Sequence, residues 1–148
     1  MMIERLNDYH RRRRCWPSNI LFYRDGVSES QYGMVKDEEL PQIVTACQEC
    51  MPPGQIRPKI TLLVVAKRHQ TRFYHKGESA RWNLPAGLCV DSDVIAPNSF
   101  NFYLQSHDSP IGTAQNGHYV VIQNDSGYSA RDLQGIVSTP YPLNLFIN

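Results

Sequence analysis

The sequence predicts an α/β fold built on a parallel strand–helix–strand unit. Two apolar runs, Ile20-Leu21-Phe22-Tyr23 and Ile60-Thr61-Leu62-Leu63-Val64-Val65, are continuous rather than alternating, the pattern of strands buried on both faces. Residues 28–50 between them space their apolar side chains as a helix does. Both runs then end in polar residues, Arg24-Asp25-Gly26 and Lys67-Arg68-His69, so two parallel strands would deliver charge to one sheet end. Open α/β sheets hold their ligands at that end.

At 148 residues the chain fits one domain with a core of its own. Apolar content of 41% and charged content of 20% are those of an ordinary globular protein. No apolar run reaches the length of a membrane span, and Met1-Met2-Ile3 runs directly into Glu4, which is unlike a signal peptide. The expected compartment is the cytoplasm or the nucleus, with no membrane partner. Cys15, Cys47, Cys50 and Cys89 are too few and scattered for a disulfide framework, which suits a reducing environment.

In chain order, Met2, Ile3, Leu6 and Tyr9 predict an amphipathic helix over residues 1–14, with no N-cap, as if the chain continued upstream. Arg11 to Arg14 point in four directions around that helix and read as a solvated C-terminus favoured by the dipole. Trp16-Pro17 ends it. Gly26 permits a sharp turn after the first strand, and Ser28 can cap the next helix. Asp25 is then either a metal or catalytic ligand or a turn cap. Pro41 should kink or divide helix 28–50. Cys47-Gln48-Glu49-Cys50 could be half a zinc site or a redox pair, but no second ligand pair matches it and a helix C-terminus does not activate a thiol. Met51-Pro52-Pro53-Gly54 breaks the chain before the second strand. Further short strands are predicted over Gly87–Asp91, Phe100–Ser106 and His118–Gln123, with a loop at 75–85. Asp91 and Asp93 read as turn residues, Asn124-Asp125-Ser126-Gly127 as a turn, and Ser129 as a helix cap.

The net charge of +1 hides strong alternation. Residues 1–24 carry +4, residues 25–50 carry −5, residues 51–82 carry +6 and residues 83–148 carry −4. Clustered cations can still present a one-signed surface to a phosphate backbone.

Taken together, these blocks resemble the PIWI domain of the Argonaute family. The resemblance rests on Ile20 to Glu29, on Lys59 to Arg72 with its Lys67-Arg68-His69-x-Thr71-Arg72, and on Pro85-Ala86-Gly87-x-x-Val90-Asp91. It continues in Phe102-Tyr103-Leu104-x-Ser106-His107, Gly112-Thr113 and His118-Tyr119-x-Val121. It implies a partial ribonuclease-H-like fold, a mixed sheet with flanking helices. The partial PIWI domain covers residues 1–135, and residues 136–148 leave the pattern as a divergent tail.

It implies further that the chain binds a small guide RNA paired with a complementary target RNA, as a fragment of a longer Argonaute protein in RNA silencing. Active relatives cut the target with paired Mg2+ ions held by clustered carboxylates. Asp25 matches one member of that catalytic, metal-holding tetrad, and the other members have no matching position. The expectation is therefore nucleic-acid binding without independent cleavage. Lys67, Arg68, Arg72 and His107 match family positions along the nucleic-acid channel, while Gln115-Asn116 stands where many relatives carry a phosphate-contacting arginine. Two rival readings remain: a Mg2+-dependent ribonuclease pairing Asp25 with Asp91 or Asp93, and a metal or redox module on Cys47 and Cys50.

Overall fold

The computed structural model describes residues 1–74, 84–95, 99–106 and 115–138. Strands β1 (Asn19–Asp25), β2 (Lys59–Ala66), β3 (Cys89–Val90), β4 (Asn101–Leu104) and β5 (Gly117–Asn124) form one mixed sheet in the order β1-β2-β5-β4-β3. Only β1 and β2 are parallel; the remaining pairs are antiparallel. Helices α1 (Met2–Arg13), α2 (Tyr32–Met34), α3 (Leu40–Cys50) and α4 (Ala130–Ser138) flank it.

The two apolar runs behave as their composition demands. Residues 60–65 of β2 are buried without interruption, and alternate side chains serve opposite faces. Leu63 and Val65 join Leu21, Phe102, Leu104 and Tyr119 beneath Leu133 of α4. Ile60, Leu62 and Val64 pack with Val27, Val35 and Ile43 on the face of α2 and α3. Leu6 of α1 closes a third cluster with Ile20 and Cys47. Gly117 opens β5 where an added Cβ would lie 2.8 Å from the Tyr119 ring. That ring stacks on Phe102 with centroids 5.2 Å apart, so glycine is what the close approach allows.

The segment expected to be divided by Pro41 is divided upstream of it. A 3-10 turn (Glu29–Gln31) leads into α2, a π-helical turn (Val35–Glu39) follows, and α3 begins with Pro41 in its first turn. Pro41 has no N–H to give to the carbonyl four residues back. The Leu40 N–H accordingly reaches five residues back to Val35 O. Ser28 and Gln31 form a capping box, as the serine suggested. Strand β3 is shorter than expected because Gly87, at φ +90°, and Asp93, at φ 60°, bend the chain on either side.

Strand β1 is the sheet edge, with no neighbour on its outer side among the described residues. An apolar edge strand is a template for further pairing. The 17.0-kDa chain should therefore self-associate as concentration rises, measured by light scattering after size exclusion, and a monodisperse monomer would contradict this. Leu62 is fully buried. Leu62→Ala should lower unfolding free energy by about 2–5 kcal/mol in chemical denaturation.

Candidate nucleic-acid interface

Parallel pairing puts Asp25 beside Val65, so the residues following β2 emerge at the end of the sheet that carries Asp25. Gly26, at φ +78°, turns the chain away at once and leaves the carboxylate at the rim. The Nζ of Lys67 donates to Asp25 Oδ2 at 3.0 Å. That hydrogen bond, with lesser help from the Lys67 charge, the Gly26 N–H and the Arg68 charge, holds the Asp25 carboxyl below its ordinary pKa, and desolvation opposes it. Both partners are more than half exposed, 69% and 53%, so the pair orients the side chains more than it stabilises the fold.

Arg24 fixes the rest of the turn. Its Nε donates to both carboxylate oxygens of Glu39 at 3.0 Å, and its Nη1 donates to the Asp25 carbonyl at 2.7 Å. The π-helical turn is thereby tied to the end of β1. An open cavity of about 780 Å³ lies over this rim, lined by Asp25, Glu29, Tyr32, Lys67 and Arg68 among others.

After β2 the chain presents two successive outward side chains before it turns one inward. Lys67 and Arg68 are exposed, whereas His69 is half-buried. His69 Nε2 lies 2.6 Å from the Asn116 carbonyl, and its ring meets Tyr103 and His118 edge-on. Tyr103 stacks on His118 at 4.4 Å and takes Phe73 edge-on, with its hydroxyl 3.3 Å from Thr71 Oγ1. Burial, then His69, lowers the His118 pKa, with Glu29 opposing, so neutral imidazole is favoured in the fold. Arg72 is half-buried and directs Nη1 to the carbonyls of His69 and Thr71, at 2.8 and 2.9 Å.

Of the residues the sequence singled out, Asp25, Lys67 and Arg68 are brought together. Arg72 is turned onto the backbone of its own loop, and His107 lies outside the described residues, as do Gly112 and Thr113 and all but residues 84 and 85 of the expected 75–85 loop. Gln115 is exposed, and Asn116 is buried as the acceptor for His69. Sequence reasoning passed over Arg24, Glu39 and His69. The one available signal was the interruption of the cations in Lys67-Arg68-His69-x-Thr71-Arg72 by His69 and Thr71, side chains able to pack.

The geometry bears on both rival readings. Asp91 and Asp93 do not pair with Asp25: they follow β3 at the far edge of the sheet. Four strand spacings of ~4.8 Å put the edges about 19 Å apart. Cys47 is buried in the α1–α3 contact and its thiol is pushed up to about 11, chiefly by burial, while the Cys50 pKa is also raised. Raised pKa values disfavour the thiolates that redox or metal chemistry would use.

The donor set also bears on the paired Mg2+ ions of active relatives. Among the described residues no group of three or more His, Cys, Asp or Glu side chains could hold a metal ion. Asp25, the carboxylate expected to take part in such a site, is bonded to an ammonium. These residues do not fit a two-metal centre. No helix among the described residues is long and apolar enough to cross a membrane.

A mixed five-stranded sheet with flanking helices is a ribonuclease-H-like architecture, and solved Argonaute structures share it. The chain superposes on the C-terminal lobe of a budding yeast Argonaute with a TM-score of 0.84 at 26% identity, covering 93% of this chain and 30% of that one. It superposes on Drosophila Piwi with a TM-score of 0.74 at 30% identity, covering 88% and 18%. An Argonaute of Kluyveromyces polysporus with a guide RNA shares the fold, with a TM-score of 0.78, 23% identity and coverage of 93% and 18%. Among curated proteins, the chain is 37% identical over 137 residues to protein argonaute 7 of Arabidopsis thaliana, covering 93% of this chain and 13% of that protein. It is 40% identical over 121 residues to protein argonaute 16 of Oryza sativa subsp. japonica, covering 82% and 13%. The Piwi domain family model matches residues 1–142. The chain belongs to the Piwi domain family, and it spans 13% of the length of these argonaute relatives.

Replacing Lys67 by Ala should raise the Asp25 pKa toward the ordinary carboxylate value. Carboxyl-carbon chemical shifts followed through a pH titration measure this. An unmoved midpoint would show that Lys67 does not hold Asp25 in solution.

Proposed function

We propose that this chain is a nucleic-acid-binding portion of an Argonaute-type PIWI domain. It takes the phosphate backbone of a guide RNA along the Lys67–Arg72 loop and does not cut a target on its own. The observation that carries this is the convergence of Lys67 and Arg68 with Asp25 at one sheet rim. Two exposed cations can meet phosphate oxygens, while among the described residues the carboxylate beside them has no partners for two-metal hydrolysis. The fold, shared with an Argonaute whose structure contains a guide RNA, supports the same ligand class.

The rim works by exchange of partners. A phosphate arriving at Lys67 competes with Asp25 for the same ammonium, and Arg68 offers a second contact. Arg72 contributes charge while its Nη1 keeps the loop backbone ordered. His107, a proposed fourth contact, rests on family position. The paired target RNA and the remainder of a longer protein would complete the complex.

Fluorescence anisotropy of labelled single-stranded RNA, titrated across salt concentrations, tests the reading. Lys67→Ala and Arg68→Ala should each weaken binding and reduce the slope of log K against log salt by about 0.7. Asp25→Asn should tighten binding roughly 2- to 5-fold, the worth of releasing an exposed ion pair. Salt-independent binding, or Asp25→Asn binding more weakly than the parent, would sink the proposal. Cleavage of the RNA in saturating magnesium that is lost in Asp25→Asn would replace it with the ribonuclease reading.

A further inference from the structure

The basic loop needs something to hold its cations outward, and the buried side of the same loop supplies it. We infer that His69 is a positioning residue that sets the loop for phosphate binding, through a hydrogen bond from Nε2–H to the Asn116 carbonyl. The inference rests on the proposed RNA-binding role of Lys67 and Arg68 and adds the element that makes them effective.

The chemistry of the contact fixes the proton. A backbone carbonyl can only accept, so at 2.6 Å the imidazole Nε2 must donate. In the neutral ring this makes Nδ1 a lone-pair site. Nδ1 is shut off from solvent and has no hydrogen-bond partner among the described residues. The ring is therefore held by one hydrogen bond and by edge-on contact with Tyr103 and His118. Those two rings stack on each other and belong to β4 and β5. His69 thus clips the loop leaving β2 onto two neighbouring strands.

The clip acts on the cations through the backbone. Arg68 is the adjacent residue and Lys67 is two back. The His69 carbonyl in turn receives the Arg72 guanidinium. Thr71 adds a second tie to the Tyr103 hydroxyl. The two outward cations, Lys67 and Arg68, precede inward His69 and Thr71, so loosening the inward pair frees the outward pair to wander. Cations held in place lose less conformational freedom on binding phosphate than mobile ones do.

Two substitutions separate the hydrogen bond from the volume. His69→Phe keeps a ring and removes the donor, while His69→Gln keeps an N–H donor at a similar reach. The expected result for His69→Phe is faster amide hydrogen exchange across Arg68–Thr71 and roughly 5- to 10-fold weaker binding of labelled single-stranded RNA. His69→Gln should stay within about 2-fold of the parent in both readouts. Loop exchange unchanged in His69→Phe overturns the positioning role whatever the RNA result. A parent chain that binds no RNA, with a loop that loosens in His69→Phe, overturns the RNA reading and leaves the positioning role standing. Should His69→Phe fail to fold, imidazole nitrogen shifts of the parent chain decide. An Nε2-protonated His69 supports the clip, and an Nδ1-protonated ring overturns it.

Discussion

The parallel ladder between β1 and β2 is the constraint on which the rest depends. Its register runs from Asn19 opposite Lys59 to Asp25 opposite Val65. Because the strands point the same way, both carboxyl ends reach one rim, and the segments that follow them meet. An antiparallel pairing of the same two runs would have sent Lys67 to the opposite end of the sheet from Asp25. Continuous burial of β2 makes this arrangement cooperative. Each of its core side chains contributes about 1.5–3 kcal/mol of burial, and slipping the register by one residue would turn every side chain to the wrong face.

Most of the architecture could be read from the chain alone, for a definite reason. Strands buried on both faces carry a one-dimensional signature, and so do a proline inside a helical pattern and a serine before one. The two apolar runs therefore located β1 and β2, and their order and direction placed Asp25 and Lys67 together. The site was only half legible. The Arg24–Glu39 pair joins residues fifteen apart through a helical turn whose extra-wide winding no spacing rule announces. The His69 contact joins residues 47 apart and depends on a backbone carbonyl, a group every residue carries. Asp91 and Asp93 illustrate the converse. Carboxylates with a suitable look in sequence fall on the opposite edge once the strand order is known.

Charge at the rim is balanced rather than uniform. Asp25 and Glu29 share the cavity lining with Lys67 and Arg68. In such a setting the bulk field is weak, and recognition depends on which pairs can exchange partners. The Lys67–Asp25 bond is exposed and therefore weak, so under the proposed function it is the pair that a phosphate oxygen would displace. The Arg24–Glu39 pair is less exposed and doubly bonded, hence better suited to holding the turn in place. Two ion pairs a residue apart in β1 thus divide the work between a movable contact and a fixed one.

The π-helical turn at Val35–Glu39 has a consequence for how this segment tolerates changes in length. A π turn is an α-helix carrying one surplus residue, absorbed without disturbing the helix on either side. Deleting a single residue there would draw the winding toward a regular α-helix, but it would also place Pro41 inside that winding, with no N–H for the carbonyl four residues back. Val35 and Ile43 could then keep their places in the same cluster. The cost would fall on Glu39, whose carboxylate would rotate away from Arg24. The end of β1 would lose its brace. The surplus residue therefore serves two neighbours at once, the helix that must accommodate Pro41 and the rim that Glu39 steadies.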